Sequence, residues 1–292
     1  MKKRIFITTI AIVFFIFSIS VAYSINKSIG RCKTELSTVT YCVDTNLPVP
    51  LRIVHLSDLH SCLYGAENET LVHMVSVQAP DLILMTGDMM DRSDDSPAVV
   101  CELIEALSEI APIYYSYGNH EYAWMEETGT NLTAALSEAG AIVLDVNYAD
   151  ILLKGQQLRL GGYHGYYRQP GMMGISPEQH QNELAFTEDF ESTELYKILM
   201  CHIPTPWLDW EYMDKHPVDL VLSGHYHGGQ ICLPLIGGVY APYVGLFPQY
   251  TEGMYVGETA TVILSTGLGS SPGIPRINNL PQIVVVDLIP KY

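Results

Sequence analysis

The sequence is poor in positive charge. It has 15 Lys and Arg residues against 32 Asp and Glu residues, which gives a formal net charge of −17 over 292 residues. Such an acidic surface repels phosphate backbones, so no nucleic acid binding through a basic face is expected. The composition is 48% hydrophobic and 16% charged, which is typical of a globular protein and not of a disordered one.

Cysteine is sparse as well, with six residues and no CxxC pair. A sulfur-only zinc site is therefore not expected. Cys32 and Cys42 flank a strand-like stretch, and two alternatives stay open for them: a disulfide in an oxidising compartment, or two unlinked thiols. We interpret Cys62 and Cys201 as small packing residues.

A long run without charge begins near the N-terminus, from Ile5 to about Tyr23, directly after Lys2-Lys3-Arg4. A run of about 18–20 residues just suffices to cross a membrane once. The basic head is typical of a targeting segment and not of a buried helix. An uncleaved anchor is favoured over a cleaved signal peptide, because the run is long for a signal and Ser20-Val21-Ala22 is a weak cleavage site. We predict an anchor or signal peptide at 1–24, which leaves the rest of the chain membrane-tethered outside the cytoplasm, or secreted if cleavage occurs.

The remainder divides into a linker or edge strand at 25–48 and a single folded domain at 49–292. Strands and helices alternate in the first half of that domain, and the second half is rich in strands. This pattern predicts an α/β fold of mixed sheets covered by helices. The sequence contains no repeat and no low-complexity tract.

Five short polar fragments each follow a predicted strand. They are Asp58-Leu59-His60, Gly87-Asp88, Gly118-Asn119-His120, Cys201-His202 and Gly224-His225-Tyr226-His227. In α/β sheets, functional sites form beyond the carboxyl ends of the strands, so we expect the five fragments to meet at one edge. Oxygen donors mixed with imidazoles suit a pair of divalent metal ions, such as Zn, Mn or Fe, better than one structural zinc.

The spacing inside two fragments predicts shared ligands. Residues i and i+2 of an extended segment point the same way, so Asp58 and His60 are predicted to reach one metal ion. His225 and His227 have the same spacing. Glycines such as Gly224 are expected to allow the sharp turns that such a close approach requires.

Two further donors complete the expected set. Asp88 lies on a tight turn, and its two carboxylate oxygens make it our choice for a ligand that bridges two metal ions. Asn119 offers a neutral amide oxygen. Asp91 and Glu121 are interpreted either as acceptors that orient the ligands or as surface charges.

The ordered set D-x-H, G-D, G-N-H-E, a lone H and G-H-x-H resembles the calcineurin-like metallophosphoesterase superfamily, over nearly all of residues 51–288. The resemblance implies a four-layer αββα sandwich of two mixed sheets flanked by helices. It also implies a dinuclear metal centre with one metal ion held by Asp58, His60, Asp88 and His227, and a second held by Asp88, Asn119, His202 and His225.

The resemblance further implies phosphoester hydrolysis. A hydroxide held between two metal ions about 3.5–4 Å apart attacks phosphorus in line. His120 would face the substrate and either protonate the leaving oxygen or stabilise the charged transition state. We therefore expect a metal-dependent phosphoric ester hydrolase, with phosphodiesterase activity on a small-molecule or lipid substrate as the first choice.

The stretch from Gly224 to Gln230, with Ala241-Pro242 and Phe247-Pro248, is similar to bacterial membrane-anchored or secreted phosphoesterases. Two alternatives stay open: a pyrophosphohydrolase or monoesterase on a lipid-linked substrate of the UDP-sugar-lipid type, and a non-catalytic envelope protein that keeps the fold for binding. Arg92 resembles the phosphate-gripping arginine of Ser/Thr phosphatases. It is followed by Ser93 where that branch has Gly, so this role also stays open.

Overall fold

The computed structural model of the chain describes residues 35–165, 177–270 and 276–291, together with Phe15. Within those residues, no helix is both long enough and apolar enough to cross a membrane. The predicted anchor or signal peptide at 1–24 lies, apart from Phe15, outside the described residues and stays a prediction.

The described residues form sixteen strands and six α-helices. The strands are β1 (Ser37–Thr45), β2 (Leu51–Leu56), β3 (Leu82–Met85), β4 (Ile113–Tyr115), β5 (Ala141–Val143), β6 (Asn147–Leu153), β7 (Gln156–Tyr163), β8 (Tyr196–Cys201), β9 (Leu220–Ser223), β10 (Cys232–Leu233), β11 (Gly237–Gly238), β12 (Tyr240–Ala241), β13 (Gly245–Leu246), β14 (Gly253–Val256), β15 (Thr261–Leu264) and β16 (Gln282–Pro290). The helices are α1 (Glu69–Ser76), α2 (Ala98–Ser108), α3 (Asn119–Thr128), α4 (Leu132–Glu138), α5 (Pro177–Glu191) and α6 (Thr205–Leu208). Short 3-10 turns lie at Ala66–Asn68, Tyr212–Asp214 and His227–Gly229.

Twelve of the strands build two six-stranded mixed sheets. The first sheet has the order β1-β16-β2-β3-β4-β5, and the second has the order β14-β15-β9-β8-β7-β6. Neighbours in the first sheet are parallel except β16 and β2. In the second sheet, the outer pairs β14–β15 and β6–β7 are antiparallel and the inner pairs are parallel. The remaining short strands form two hairpins, β10–β11 and β12–β13.

Three apolar layers hold the sheets and helices together. In β3, Leu82 and Leu84 pack between the two sheets, whereas Ile83 and Met85 pack against the helices that cover the first sheet. A third layer lies between the second sheet and its helices and includes Phe190 of α5. Successive strand residues point to opposite faces, so a strand buried on both faces reads as an unbroken apolar run. Three core layers between four layers of secondary structure confirm the expected αββα sandwich.

The edge strand expected within 25–48 is β1, a nine-residue strand. It pairs in parallel with β16 over its whole length, from Ser37 opposite Gln282 to Thr45 opposite Pro290. This strand therefore forms one side of the first sheet. Helix α3 was not among the predicted elements, because its sequence NHEYAWMEET lacks a continuous apolar face.

Two cysteine interpretations are corrected. Cys42 is a free, exposed thiol, so the alternative in which it pairs with Cys32 is wrong. Side chains alternate between the two faces of β1, and Cys42 lies on the exposed face. Cys62 is buried and disulfide-bonded, and so is more than a packing residue. Cys32 itself lies outside the described residues.

Candidate metal centre

The first group of donors contains Asp58, His60 and His227, all of them buried. Nε2 of His60 lies 3.4 Å from Nε2 of His227, and that second nitrogen lies 3.5 Å from Oδ1 of Asp58. Atoms that share one ion through bonds of roughly 2.0–2.2 Å lie about 3–3.5 Å from one another. The three side chains therefore present a matched set of donors to one point.

The second group contains Asp88, His202 and His225 and is buried to the same degree. Nε2 of His202 lies 3.1 Å from Oδ2 of Asp88 and 3.2 Å from Nδ1 of His225. The Nδ1 atom of His202 lies 2.8 Å from the Thr86 carbonyl oxygen. A carbonyl only accepts, so Nδ1 carries the hydrogen and Nε2 faces the other donors, as a metal-binding histidine requires.

The two groups are contiguous. The backbone N–H of His225, from the second group, donates to both carboxylate oxygens of Asp58, at 3.0 and 3.1 Å. Oδ1 of Asn119 is buried and has no hydrogen-bond partner among the described residues. The next residue, His120, donates its backbone N–H to Asp88 at 2.8 Å. An unused acceptor at this place fits the predicted role of Asn119 as a metal ligand.

The structure corrects the predicted reason for the D-x-H and H-x-H spacing. Asp58 and His60 are not in an extended segment, because β2 ends at Leu56 and both residues have positive φ, 53° and 48°. Asp88, His225 and His227 also have positive φ, between 47° and 70°. Five of the seven predicted ligands thus adopt a conformation that is unfavourable for a side chain. Strain of this kind concentrates at functional sites.

Gly224 serves a purpose other than the one predicted. A Cβ atom at this position would lie 2.0 Å from Oγ of Ser57 and 2.1 Å from Oδ2 of Asp58. The glycine is therefore required for the close approach of its backbone to Asp58. By contrast, Gly228 and Gly229 have the positive φ expected in a sharp turn, 61° and 76°.

Burial keeps most of the imidazoles neutral. It lowers the pKa of His60 to about 3, and it lowers the pKa of His225 and His227 well below the ordinary value. Burial also raises the pKa of Asp58 to about 6. Neutral imidazole is the form that binds a metal ion, so these histidines are ready as ligands at neutral pH.

Asp88 and His202 influence each other strongly. Burial opposes ionisation of Asp88, but the adjacent imidazoles, His202 first, hold the pKa of its carboxyl well below the usual value. Burial opposes protonation of His202, but the Asp88 carboxylate raises its pKa to about 9. Once both are deprotonated, the pair offers two donors to the same point.

Glu121 is buried and holds two turns together. Its carboxylate accepts hydrogen bonds from the backbone N–H groups of Asp88, Met89 and Gly118, each at 2.8 Å. The Tyr115 hydroxyl donates to the same carboxylate at 2.7 Å. Of the two interpretations left open, the surface charge is therefore wrong, and Glu121 orients the backbone around Asp88.

His120 lies at the junction of the two groups. Its ring centroid is 4.5 Å from that of His60. Its Nδ1 accepts the backbone N–H of Arg92 at 3.1 Å, so a neutral His120 carries its hydrogen on Nε2. Asp91 lies behind both rings, with Oδ2 at 3.9 Å from Nδ1 of each histidine. Asp91 is fully buried, so it is also no surface charge.

The Arg92 side chain is exposed and pairs with Glu127 at 2.6 Å. Its guanidinium is thus bound to a carboxylate of α3, and only its backbone contacts His120.

Three residues near the metal centre were not predicted. The Tyr243 ring stacks on His225 with centroids 5.1 Å apart. Nη2 of Arg276 lies 3.4 Å from Nδ1 of His227, and Asn279 donates to the His227 carbonyl at 2.5 Å. No metal-ligand spacing marks these residues in the sequence. The His164 ring lies parallel to that of His202, with the ring centroids 6.4 Å apart.

The residues therefore fit divalent metal ions: two groups of buried donors, three imidazoles that burial keeps neutral and an unused amide oxygen meet at one edge of the sandwich. A family model described as calcineurin-like phosphoesterase matches residues 51–229. The chain belongs to the calcineurin-like phosphoesterase family. Membership of this family and the histidine and aspartate groups identify the chain as a metal-dependent phosphoester hydrolase.

Several bacterial members of the family are similar along most of their length. The uncharacterized metallophosphoesterase YkoQ of Bacillus subtilis is 28% identical over 267 residues, which covers 89% of this chain and 92% of that protein. YkuE of the same organism is 30% identical over 243 residues, which covers 81% of this chain and 78% of YkuE. The phosphodiesterase YaeI of Escherichia coli is 28% identical over 244 residues, which covers 82% of this chain and 83% of YaeI. Among solved structures, TT1561 of Thermus thermophilus aligns with a TM-score of 0.47 and 13% identity, covering 75% of this chain and 91% of that one.

Proposed function

We propose that this calcineurin-like phosphoesterase is a phosphodiesterase with a dinuclear metal centre. The observation that carries the proposal is the convergence of two three-residue donor groups in one contiguous site, where the His120 ring contacts His60 of the first group and its backbone N–H donates to Asp88 of the second. A relative that is 28% identical over 82% of this chain bears the name phosphodiesterase, which supports this choice among phosphoester hydrolases.

The ligand assignment follows the two groups. Asp58, His60 and His227 would hold one metal ion, and His202, His225 and Asn119 would hold the other, with Asp88 shared between them. When bound, the ions supply positive charge to the phosphate group and acidify the attacking water. Zn, Mn and Fe all accept this mixture of nitrogen and oxygen donors.

The chain's own residues perform the remaining tasks. His120 carries a hydrogen on Nε2, because Nδ1 accepts the Arg92 N–H, so the neutral ring can donate a hydrogen bond to the leaving oxygen. Transfer of the proton itself requires the imidazolium form, which the Asp91 carboxylate, 3.9 Å from Nδ1, would stabilise. Glu121 keeps the Asp88 turn in place, and Ser57 donates to Oδ2 of Asp58 at 2.6 Å. These contacts hold the donors before any metal ion arrives, which reduces the free energy needed to organise the site.

We also propose that the domain works outside the cytoplasm, tethered by the predicted anchor at 1–24. The disulfide bond of Cys62 supports this location, because disulfides persist in oxidising compartments. A tether near lipid headgroups favours a second candidate function, a pyrophosphohydrolase or monoesterase that acts on a lipid-linked substrate.

A substrate panel tests these proposals. The full chain is assayed with Zn, Mn and Fe on an aryl phosphodiester, an aryl phosphomonoester and a nucleotide-linked pyrophosphate, and its metal content is measured. We expect about two metal ions per chain and fastest turnover of the diester. Preference for the pyrophosphate would support the second candidate. No turnover with any metal would contradict both and support the non-catalytic binding protein.

A further inference from the structure

One surface stretch differs from the rest of this acidic chain. From Gly228 to Thr251 there is no Asp, Glu, Lys, Arg or His, although the chain has a net charge of −17. Within this stretch lie the two hairpins β10–β11 and β12–β13. We refer to residues 232–247 as the double hairpin.

The double hairpin exposes large apolar side chains. Leu235 at the first tip is fully exposed, and Ile236 beside it is 61% exposed. On the second hairpin, Leu246 is 70% exposed and Phe247 is 60% exposed. Soluble domains rarely concentrate apolar side chains in this way unless another surface covers them.

The double hairpin lies beside the metal centre. It follows His227 closely in the chain, beginning at Cys232, and the Tyr243 ring at its second tip stacks on His225. The N–H of Val239, between the hairpins, donates to the Gly229 carbonyl at 3.1 Å. Whatever covers the double hairpin therefore also lies next to the metal centre.

The chain enters the described part of the sandwich at this same edge. β1 runs parallel to β16, and β16 runs antiparallel to β2, so Ser37 lies at the edge where β2 ends. Ser37 pairs with Gln282, whose N–H donates to the Gly267 carbonyl at 3.0 Å, and Gly267 packs against Asp58. Even a fully extended chain of the length of residues 24–34 spans at most about 40 Å. A tether at 1–24 would thus keep the metal-bearing edge close to the bilayer.

We propose that the double hairpin is a lipid-contacting surface that rests on a bilayer with uncharged or zwitterionic headgroups. Its apolar tips enter the outer part of the lipid layer, and its tyrosines suit the interface between lipid and water. The absence of charge removes the desolvation penalty that a charged side chain would bring. The acidic remainder of the chain disfavours an anionic membrane. The metal centre would then face phosphoesters at the membrane surface.

A tryptophan reporter tests this contact without any catalytic turnover. The Leu235→Trp variant of the full chain is reconstituted in phosphatidylcholine vesicles, with and without bromine on the acyl chains. Bromine quenches a tryptophan that touches the lipid. The matched control is Leu152→Trp, since Leu152 is 71% exposed and pairs with Gln157 near the opposite edge of the second sheet. Emission of the unsubstituted chain is subtracted in both lipids.

We expect Leu235→Trp to lose most of its added emission in brominated vesicles and Leu152→Trp to keep it. Equal losses at the two positions, or a larger loss at position 152, would overturn the proposal. The aryl phosphodiester assay on the same samples reports separately on the proposed activity. Loss of turnover with intact quenching would therefore reject the activity and leave the lipid contact standing.

Discussion

The carboxylate of Glu121 accepts the backbone N–H of Asp88 at 2.8 Å and that of Gly118 at the same distance. One side chain on helix α3 thus ties together the turns that follow β3 and β4. Both turns carry predicted metal ligands, Asp88 and Asn119. The contact therefore fixes the position of these two ligands relative to each other.

Replacing Glu121 with Ala should destabilise the protein strongly. The change leaves three buried N–H groups and the Tyr115 hydroxyl without their acceptor, and each such loss costs about 1–3 kcal/mol. We expect the free energy of unfolding, measured by urea denaturation, to fall by at least about 3 kcal/mol. Glu127→Ala on the same helix is the control, because Glu127 is half exposed and should change stability by no more than about 0.5 kcal/mol. Similar values for both variants would remove the proposed role of Glu121.

The His120→Ala variant should keep its metal ions and lose rate selectively. A proton donor matters most when the leaving group is a poor one, so we expect a loss of about 10²–10⁴-fold on an alkyl phosphodiester and much less on a nitrophenyl diester. Rates on a series of leaving groups, with metal content measured in parallel, check this. The same loss on every leaving group would contradict the role of His120 as an acid.

The Asp88→Asn variant should lose activity and bind less metal. The amide keeps an oxygen that can accept the His120 N–H, but it removes the negative charge beside His202. Elemental analysis should show fewer metal ions per chain than in the unchanged protein. Asp95→Asn makes the same charge change on an exposed residue and should leave metal content and rate unaltered. Near-normal rates in Asp88→Asn would rule out a shared, metal-bridging role.

The Gly224→Ala variant should disturb the first donor group. Its new Cβ would lie within 2.1 Å of both Ser57 Oγ and Asp58 Oδ2, so Asp58 must move. We expect weaker metal binding and a loss of stability of about 1–3 kcal/mol. Gly155→Ala is the comparison: its Cβ meets no atom within 4 Å, although its φ is +79°. That variant should cost about 1 kcal/mol through backbone strain alone and keep its metal ions.

Most of the metal ligands could be predicted from the sequence, because each lies in a short motif directly after a strand. Asp58, His60 and Asp88 each follow an apolar run that forms a strand, and strand ends in α/β sheets place such residues together. His202 and His225 follow strands of the second sheet in the same way. The geometry within the fragments was predicted wrongly, since positive φ values replace the extended backbone that their spacing suggested.

Residue types and their order along the chain determined the strands, the family resemblance and the chemistry of the donors, because each depends on neighbours close in sequence. Only the tertiary structure decided that Glu121 is buried against the turn of Asp88 and that Tyr243 covers His225. These contacts join residues from separate strands and loops. Strand order and the packing of one sheet on the other bring such residues together, and no short pattern in the chain records that arrangement.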